Sequence, residues 1–306
     1  VYPLKFAPVY KEMIWGGQRL GSLFNRKLPF SKVGESWEIC THRHGMSSIV
    51  NGVWQGKTLA EVIARQPQVI LGTGYKELAE FPLLIKYLDA NDHLSIQVHP
   101  DDGYAWNTEH EQGKTEAWYV LHAEQGAQII YGLRDTVSKE QFSRAIAEGG
   151  IEQVVRYVAV RQGDLILVPA GTVHSLLKGV VVCEVQQSSD ATYRIHDFNR
   201  PGPDGKPREL HIEKALEVID FGKQPALQFA KESISCPYFT VRKWKVTQKA
   251  LDHPQGRFLV YCILAGEGRL AGGGVVMPVL PGDTLLLPAC LETVELSGEL
   301  QMLRIQ

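Results

Sequence analysis

The chain has 306 residues, 44% of them hydrophobic, which is enough to bury a sizeable core and suggests one large or two medium domains. A net charge of −2 argues against nucleic acid or an anionic membrane surface as the main partner, whereas a small anionic ligand needs only a few local cations. No window approaches about eighteen consecutive apolar residues, so no transmembrane helix is expected. The opening Val1-Tyr-Pro-Leu-Lys-Phe lacks the apolar core of a signal peptide, and five scattered cysteines without C-x-x-C spacing read as free thiols of a cytoplasmic protein.

In chain order, Thr58-Leu-Ala-Glu61 is a capping box that opens a short helix stopping before Pro67. Strand-like runs then dominate: Pro82–Leu88, Leu94–His99, Glu116–Leu121, Ala127–Tyr131, Arg156–Val160, Leu165–Pro169, Val180–Gln186 and Thr192–Asp197. Turn residues punctuate them at short intervals, the pattern of a sandwich or barrel. Ser138-Lys-Glu-Gln141 opens a second helix, closed by Gly149-Gly150, and Ile212–Ile219 reads as a third. The Pro/Gly-rich Arg200–Pro207 is expected to be an exposed loop. Gly222–Pro225 is expected to be the domain boundary, dividing the chain into residues 1–222 and 223–306. The second unit echoes the first: Gly282-Asp-Thr-Leu-Leu-Leu-Pro288-Ala-Cys290-Leu-Glu-Thr293 aligns without gaps on Gly163-Asp-Leu-Ile-Leu-Val-Pro169-Ala-Gly171-Thr-Val-His174.

In the first of these segments, an apolar strand runs into the Pro169–Gly171 turn, which delivers His174 at a fixed point. Upstream, Leu94, Ile96 and Val98 alternate with Ser95, Gln97 and His99, so Gln97 and His99 share one strand face. Two imidazoles, a carboxylate from Glu116 and an amide oxygen suit a divalent metal of the zinc class. His42-Arg-His44 has H-x-H spacing, but no acidic partner stands in a recognisable motif with it, and it is read as non-ligating. Trp15, Trp37, Trp106 and Trp118 read as core, and Cys183-Glu184 as strand packing.

The spacing G-x-x-x-x-x-P-x-G-x-x-H resembles the second cupin motif. The string Gln97-Val-His99-Pro-Asp-Asp, Gly113-Lys-Thr-Glu116, Pro-Ala-Gly-Thr-Val-His174 and Ser189-Asp-Ala-Thr-Tyr-Arg194 resembles type I phosphomannose isomerases in their short bacterial form. Ile14-Trp-Gly-Gly17, Gly34-Glu-Ser-Trp-Glu38 and Asp197-Phe-Asn-Arg200 extend the resemblance over most of residues 1–220. It implies an all-β fold with a few inserted helices, built as two cupin-like jelly rolls of which the second has lost its metal. It also implies a zinc-dependent aldose–ketose isomerase that interconverts mannose 6-phosphate and fructose 6-phosphate through an enediol(ate).

Carried onto this chain, the family pattern gives one zinc ion held by Gln97, His99, Glu116 and His174. Arg194 and Lys114 become catalytic candidates and Asp190 a substrate-binding one. Gly113 and Thr115 depart from the histidine and proline of longer members, so no role of that histidine transfers. Lys114 is a candidate base only if its pKa falls well below the ordinary ~10.4. Two other readings stay open. One is a different metal-dependent cupin enzyme, an oxygenase or a glucose 6-phosphate isomerase, which Gln97 disfavours because such enzymes show H-x-H. The other is a non-catalytic bicupin that binds a sugar phosphate.

Overall fold

Short runs of β-branched and aliphatic residues, broken by glycine and proline turns, fold here into antiparallel sheets with a few helices inserted between strands. The computed structural model describes residues 1–75, 80–134, 137–202, 205–222, 227 and 229–306. Residues 223–225 of the expected boundary and the middle of the Arg200–Pro207 loop lie outside the described residues.

The first unit is a jelly roll of two sheets. One has five strands in the order Val155–Ala159, Gln128–Leu133, His174–Leu176, Ile96–Val98, Tyr193–His196. The other has six, in the order Leu165–Val168, Glu116–Ala123, Val180–Gln187, Leu83–Ala90, Val33–Ile39, Val9–Gly17. Leu83–Ala90 and Val180–Gln187 are buried along their whole length, as expected for central strands covered on both faces. The second unit is built on Thr240–Asp252, Leu259–Gly272, Thr284–Leu287 and Val294–Ile305, a second cupin-like jelly roll.

The two units share core. Strand Leu4–Ala7 pairs with Thr284–Leu287, so the start of the chain completes the sheet of the second unit. Phe81 and Phe258, both fully buried, meet with ring centroids 4.9 Å apart. Removing either ring would cost about 3–5 kcal/mol and loosen both units together. We therefore keep the division at 222/223 as a proposal about evolutionary units, with strand Leu4–Ala7 lent across it.

All three expected helices are present. Leu59–Arg65 carries the reciprocal capping box, Thr58 N donating to Glu61 Oε2 at 2.7 Å and Glu61 N to Thr58 Oγ1 at 3.2 Å. Lys139–Ala147 has the same box from Ser138 and Gln141, and Ile212–Val218 follows. The first helix stops before Pro67 as expected, and Pro67 opens a further helix, Pro67–Ile70, in which its missing N–H costs nothing at the first position. Two helices escape the sequence reading, Arg19–Phe24 and Asp102–Glu109. The second contains Gly103, Asn107 and Thr108, poor helix formers, and depends on the Asp101 side chain accepting from Tyr104 N at 2.8 Å. Among the described residues no helix is long and apolar enough to cross a membrane.

Candidate metal and substrate site

Backbone register brings the expected ligands together. His174 stands opposite Gln97, Arg194 pairs with Gln97 on the other side, and Glu116 pairs with Val168 and Gln186 in the facing sheet. His99 lies one residue past the strand Ile96–Val98, where its carbonyl accepts from Gly171 N at 2.9 Å and ties the two ligand-bearing turns together.

His99, Glu116 and His174 are all buried, with ligand atoms within 4.8 Å of one another. Glu116 Oε2 lies 3.4 Å from His99 Nε2, and Glu116 Oε1 lies 3.4 Å from His174 Nε2. Each imidazole is oriented by its other nitrogen: His99 Nδ1 donates to the Ala191 carbonyl at 2.9 Å and His174 Nδ1 to the Thr172 carbonyl at 2.8 Å. That fixes the proton on Nδ1 and turns both Nε2 lone pairs inward, as metal-binding histidines require. Burial, helped by the Lys114 charge, pushes the His99 pKa down to about 3, and burial also lowers His174, so both rings are neutral. Burial alone would raise Glu116, but Lys114 and the two imidazoles outweigh it and hold the carboxylate ionised.

This donor set fits a divalent cation. Glu116 Oε1 is sealed from solvent and accepts no hydrogen bond among the described residues, an unmet demand that usually costs about 1–3 kcal/mol. The buried Lys114 ammonium touches Glu116 Oε2 and lies 3.0 Å from His99 Nε2, a cation already drawn to two of the ligand atoms. Gln97 joins through its amide: Nε2 lies 3.4 Å from His174 Nε2 while Oε1 accepts from Ser95 Oγ at 3.1 Å. Ligation by the oxygen needs the amide turned over, a change of assignment that leaves its shape the same.

The segment before Glu116 explains the departure from longer family members. A Cβ on Gly113 would come within 2.5 Å of the Asp101 and Asp102 backbone, so a histidine has no room. Thr115 N donates to Gln187 Oε1 at 2.9 Å, a bond that a proline could not make.

Gln97 and Lys114, which contact the buried triad, line a cavity of about 400 Å³ whose wall also includes Asp190 and Arg194. The Arg194 guanidinium donates to the Glu209 carbonyl at 2.8 Å, and its buried Nε has no hydrogen-bond partner among the described residues. Asp197, a candidate structural partner for Arg194, is taken instead by Arg200 at 2.8 Å and by Arg208 at 2.5 Å. Asp190 reaches the same wall, but its carboxylate meets His44.

Several wall residues were not foreseen. Lys86 lies between Glu35 at 3.6 Å and Glu184 at 3.5 Å, and Arg208 lines the cavity beside Arg194. Burial would depress Lys86, yet the two carboxylates outweigh it and raise its pKa. The overlooked signal was a charge inside an apolar strand, Lys86 within Leu83–Ala90 and Glu184 within Val180–Gln187. Glu184 accepts from Trp118 Nε1 at 2.8 Å and is therefore more than packing. Trp118 is core as expected, and Trp15 and Trp37, though buried, line the cavity. Trp106 is 67% exposed and corrects the core reading given to it, because the helix that carries it turns that face outward.

Residues 4–112 match the family described as phosphomannose isomerase type I, catalytic domain, and residues 230–306 match the mannose-6-phosphate isomerase cupin domain. The chain is 39% identical to a mannose-6-phosphate isomerase of Streptococcus mutans over 98% of its length and 97% of the relative's. It is 40% identical to mannose-6-phosphate isomerase ManA of Bacillus subtilis over 97% and 96%. The crystal structure of the Bacillus subtilis mannose 6-phosphate isomerase superposes with a TM-score of 0.93 at 36% identity, each chain covered completely.

Proposed function

Since the chain belongs to the type I phosphomannose isomerase family, we propose that it interconverts mannose 6-phosphate and fructose 6-phosphate through an enediol(ate), with one zinc ion held by Gln97, His99, Glu116 and His174. A bound zinc ion would supply Lewis-acid polarisation of the sugar oxygens at C1 and C2. The observation that carries the reading is the buried Glu116 oxygen without a donor, facing two neutral imidazoles, in a chain related over its whole length to curated isomerases.

Lys114 and Arg194 are the catalytic residues of this proposal. Lys114 Nζ, within hydrogen-bond reach of the metal-binding atoms, holds a proton beside the reacting oxygens. Arg194, the register partner of Gln97, places a permanent planar cation at the same end, and its unpartnered Nε is free to donate to developing negative charge. Arg208 adds a second guanidinium to that wall for the phosphate. The Asp190 carboxylate, held by His44, shapes the wall and binds sugar hydroxyls from there. Five unpaired cysteines fit a reducing cytoplasm.

A coupled assay for fructose 6-phosphate tests the proposal. Purified protein should turn over mannose 6-phosphate, lose that activity on exhaustive chelation and regain it with Zn2+. Zinc-loaded protein that forms no fructose 6-phosphate would overturn the reading in favour of a binding protein.

A further inference from the structure

Away from the triad, a second group of imidazoles and carboxylates converges at the cavity wall. Thr41–His42 and Gly45–Met46 pair as a tight hairpin, which sets the His42 and His44 rings 5.1 Å apart. His44 Nδ1 meets Asp190 Oδ2, and His42 Nε2 lies 3.8 Å from Asp190 Oδ1. The ligand atoms of His42, His44 and Asp190 all fall within 4.8 Å of one another. A fourth donor faces them independently. Glu111 is a side chain only 9% exposed, and its Oε1 lies 3.5 Å from His42 Nε2 while it is held by the Arg43 guanidinium.

We infer that His42, His44, Asp190 and Glu111 form a second divalent-metal site, selective for the zinc class, in the wall of the active cavity. A tetrahedral ion with bonds of about 2.0–2.2 Å keeps its ligand atoms about 3.4 Å apart, close to the 3.5 and 3.8 Å that separate His42 Nε2 from Glu111 and Asp190, while the direct His44–Asp190 contact has to open to admit it. Two imidazoles with two carboxylates favour zinc-class ions over magnesium or calcium, which prefer all-oxygen shells. Two further local contacts must yield. Arg43, in ion contact with Glu111, is 62% exposed and can turn into solvent. Coordination through Nε2 puts the His42 proton on Nδ1 and gives up the long 3.3 Å contact from His44 N. The site is separate from the triad, and its occupancy does not depend on the isomerase reading.

The test is metal stoichiometry of the full-length protein, read by equilibrium dialysis against Zn2+ with elemental analysis. Wild type should hold two ions per chain. His44→Ala, at a half-exposed position, should hold one, and so should His99→Ala/His174→Ala, which removes the other site. Excess Mg2+ should displace neither ion. A single ion in wild type, or a second ion that survives in His44→Ala, would overturn the inference. Displacement of the second ion by Mg2+ would overturn its zinc-class chemistry. Co2+ gives an independent readout, since tetrahedral absorbance per chain should halve in His44→Ala.

Discussion

The same backbone device occurs twice in this molecule, and among the described residues only the first copy stands beside a His–Glu–His group. Gly163 and Gly282 adopt φ of +91° and +89°. Gly163 N donates to Val120 O at 2.8 Å, and Val120 N returns a bond to Asp164 O at 2.9 Å. In the second unit Gly282 N donates to Ile263 O and Ile263 N to Asp283 O, both at 2.8 Å. The aspartates match too: Asp164 Oδ2 accepts from Arg161 N at 2.9 Å and Asp283 Oδ2 from Leu280 N at 3.0 Å. The gap-free sequence echo is thus repeated bond for bond, which supports descent from a duplicated unit.

The copies part where donors would stand, and at the turn, where Cys290 replaces Gly171. Val168 pairs with Glu116, whereas the corresponding Leu287 pairs with Leu259, which is fully buried. Thr293 takes the place of His174, and its hydroxyl meets His253 Nδ1 at 3.1 Å. Turn and strand are kept because folding needs them, while the ligand set proposed for zinc is kept in the first copy alone.

The comparison is broken most severely by turning the first copy into the second. His174→Thr should leave the strand and its turn intact, because the Gly163–Asp164 bonds do not involve the imidazole. It should abolish stoichiometric zinc at the triad and lower kcat/KM by more than about three orders of magnitude. Metal content measured alongside kinetics and circular dichroism checks this, and retained activity without zinc would dissolve the functional distinction between the copies.

Arg194 comes next in expected effect. Arg194→Ala should keep zinc and fold while kcat/KM falls by roughly two to three orders of magnitude, mostly through kcat. Arg194→Lys should restore only part of it, since a lysine keeps the charge and loses the planar fork. A fall confined to KM would move Arg194 to the phosphate. Near-normal kinetics would remove it from the site, for which the Glu209 carbonyl contact already offers a structural role.

The catalytic unit was legible because its signals are local. Period-two alternation placed Gln97 beside His99, capping boxes marked two helices, and the Pro169–Gly171 turn marked His174. Lys86 and Glu184 show in the sequence only as charges inside apolar strands, and Arg208 reaches the cavity from the loop before Ile212–Val218. Leu259 lies outside the echoed segment, and only strand register shows that it stands where Glu116 does. His42 and His44 looked partnerless because Glu111 and Asp190 reach them from distant loops.

The smallest effect is expected at a carboxylate of the second unit, and it sharpens the contrast with Glu116. Asp252 is saturated within the fold: it accepts from Tyr261 Oη at 2.7 Å, Arg304 Nε at 2.6 Å and His253 N at 2.8 Å. Glu116 keeps one oxygen without a donor among the described residues. Asp252→Asn should therefore leave kcat unchanged and cost stability, about 1–3 kcal/mol by the usual worth of charge-assisted hydrogen bonds. The pH dependence has a definite sign. Burial would raise the Asp252 pKa, but Arg304 and Tyr261 outweigh it and hold the folded value below that of the unfolded chain. The stabilisation is thus fully present above the ordinary carboxylate value of ~3.9 and is lost as pH falls through the lower folded value. Urea titrations of wild type and Asp252→Asn should separate at neutral pH and converge in acid. A gap that persists undiminished below pH 3 would show that the asparagine disrupts packing rather than an ion pair, and an equal loss of kcat would mean that the second unit takes part in the chemistry after all.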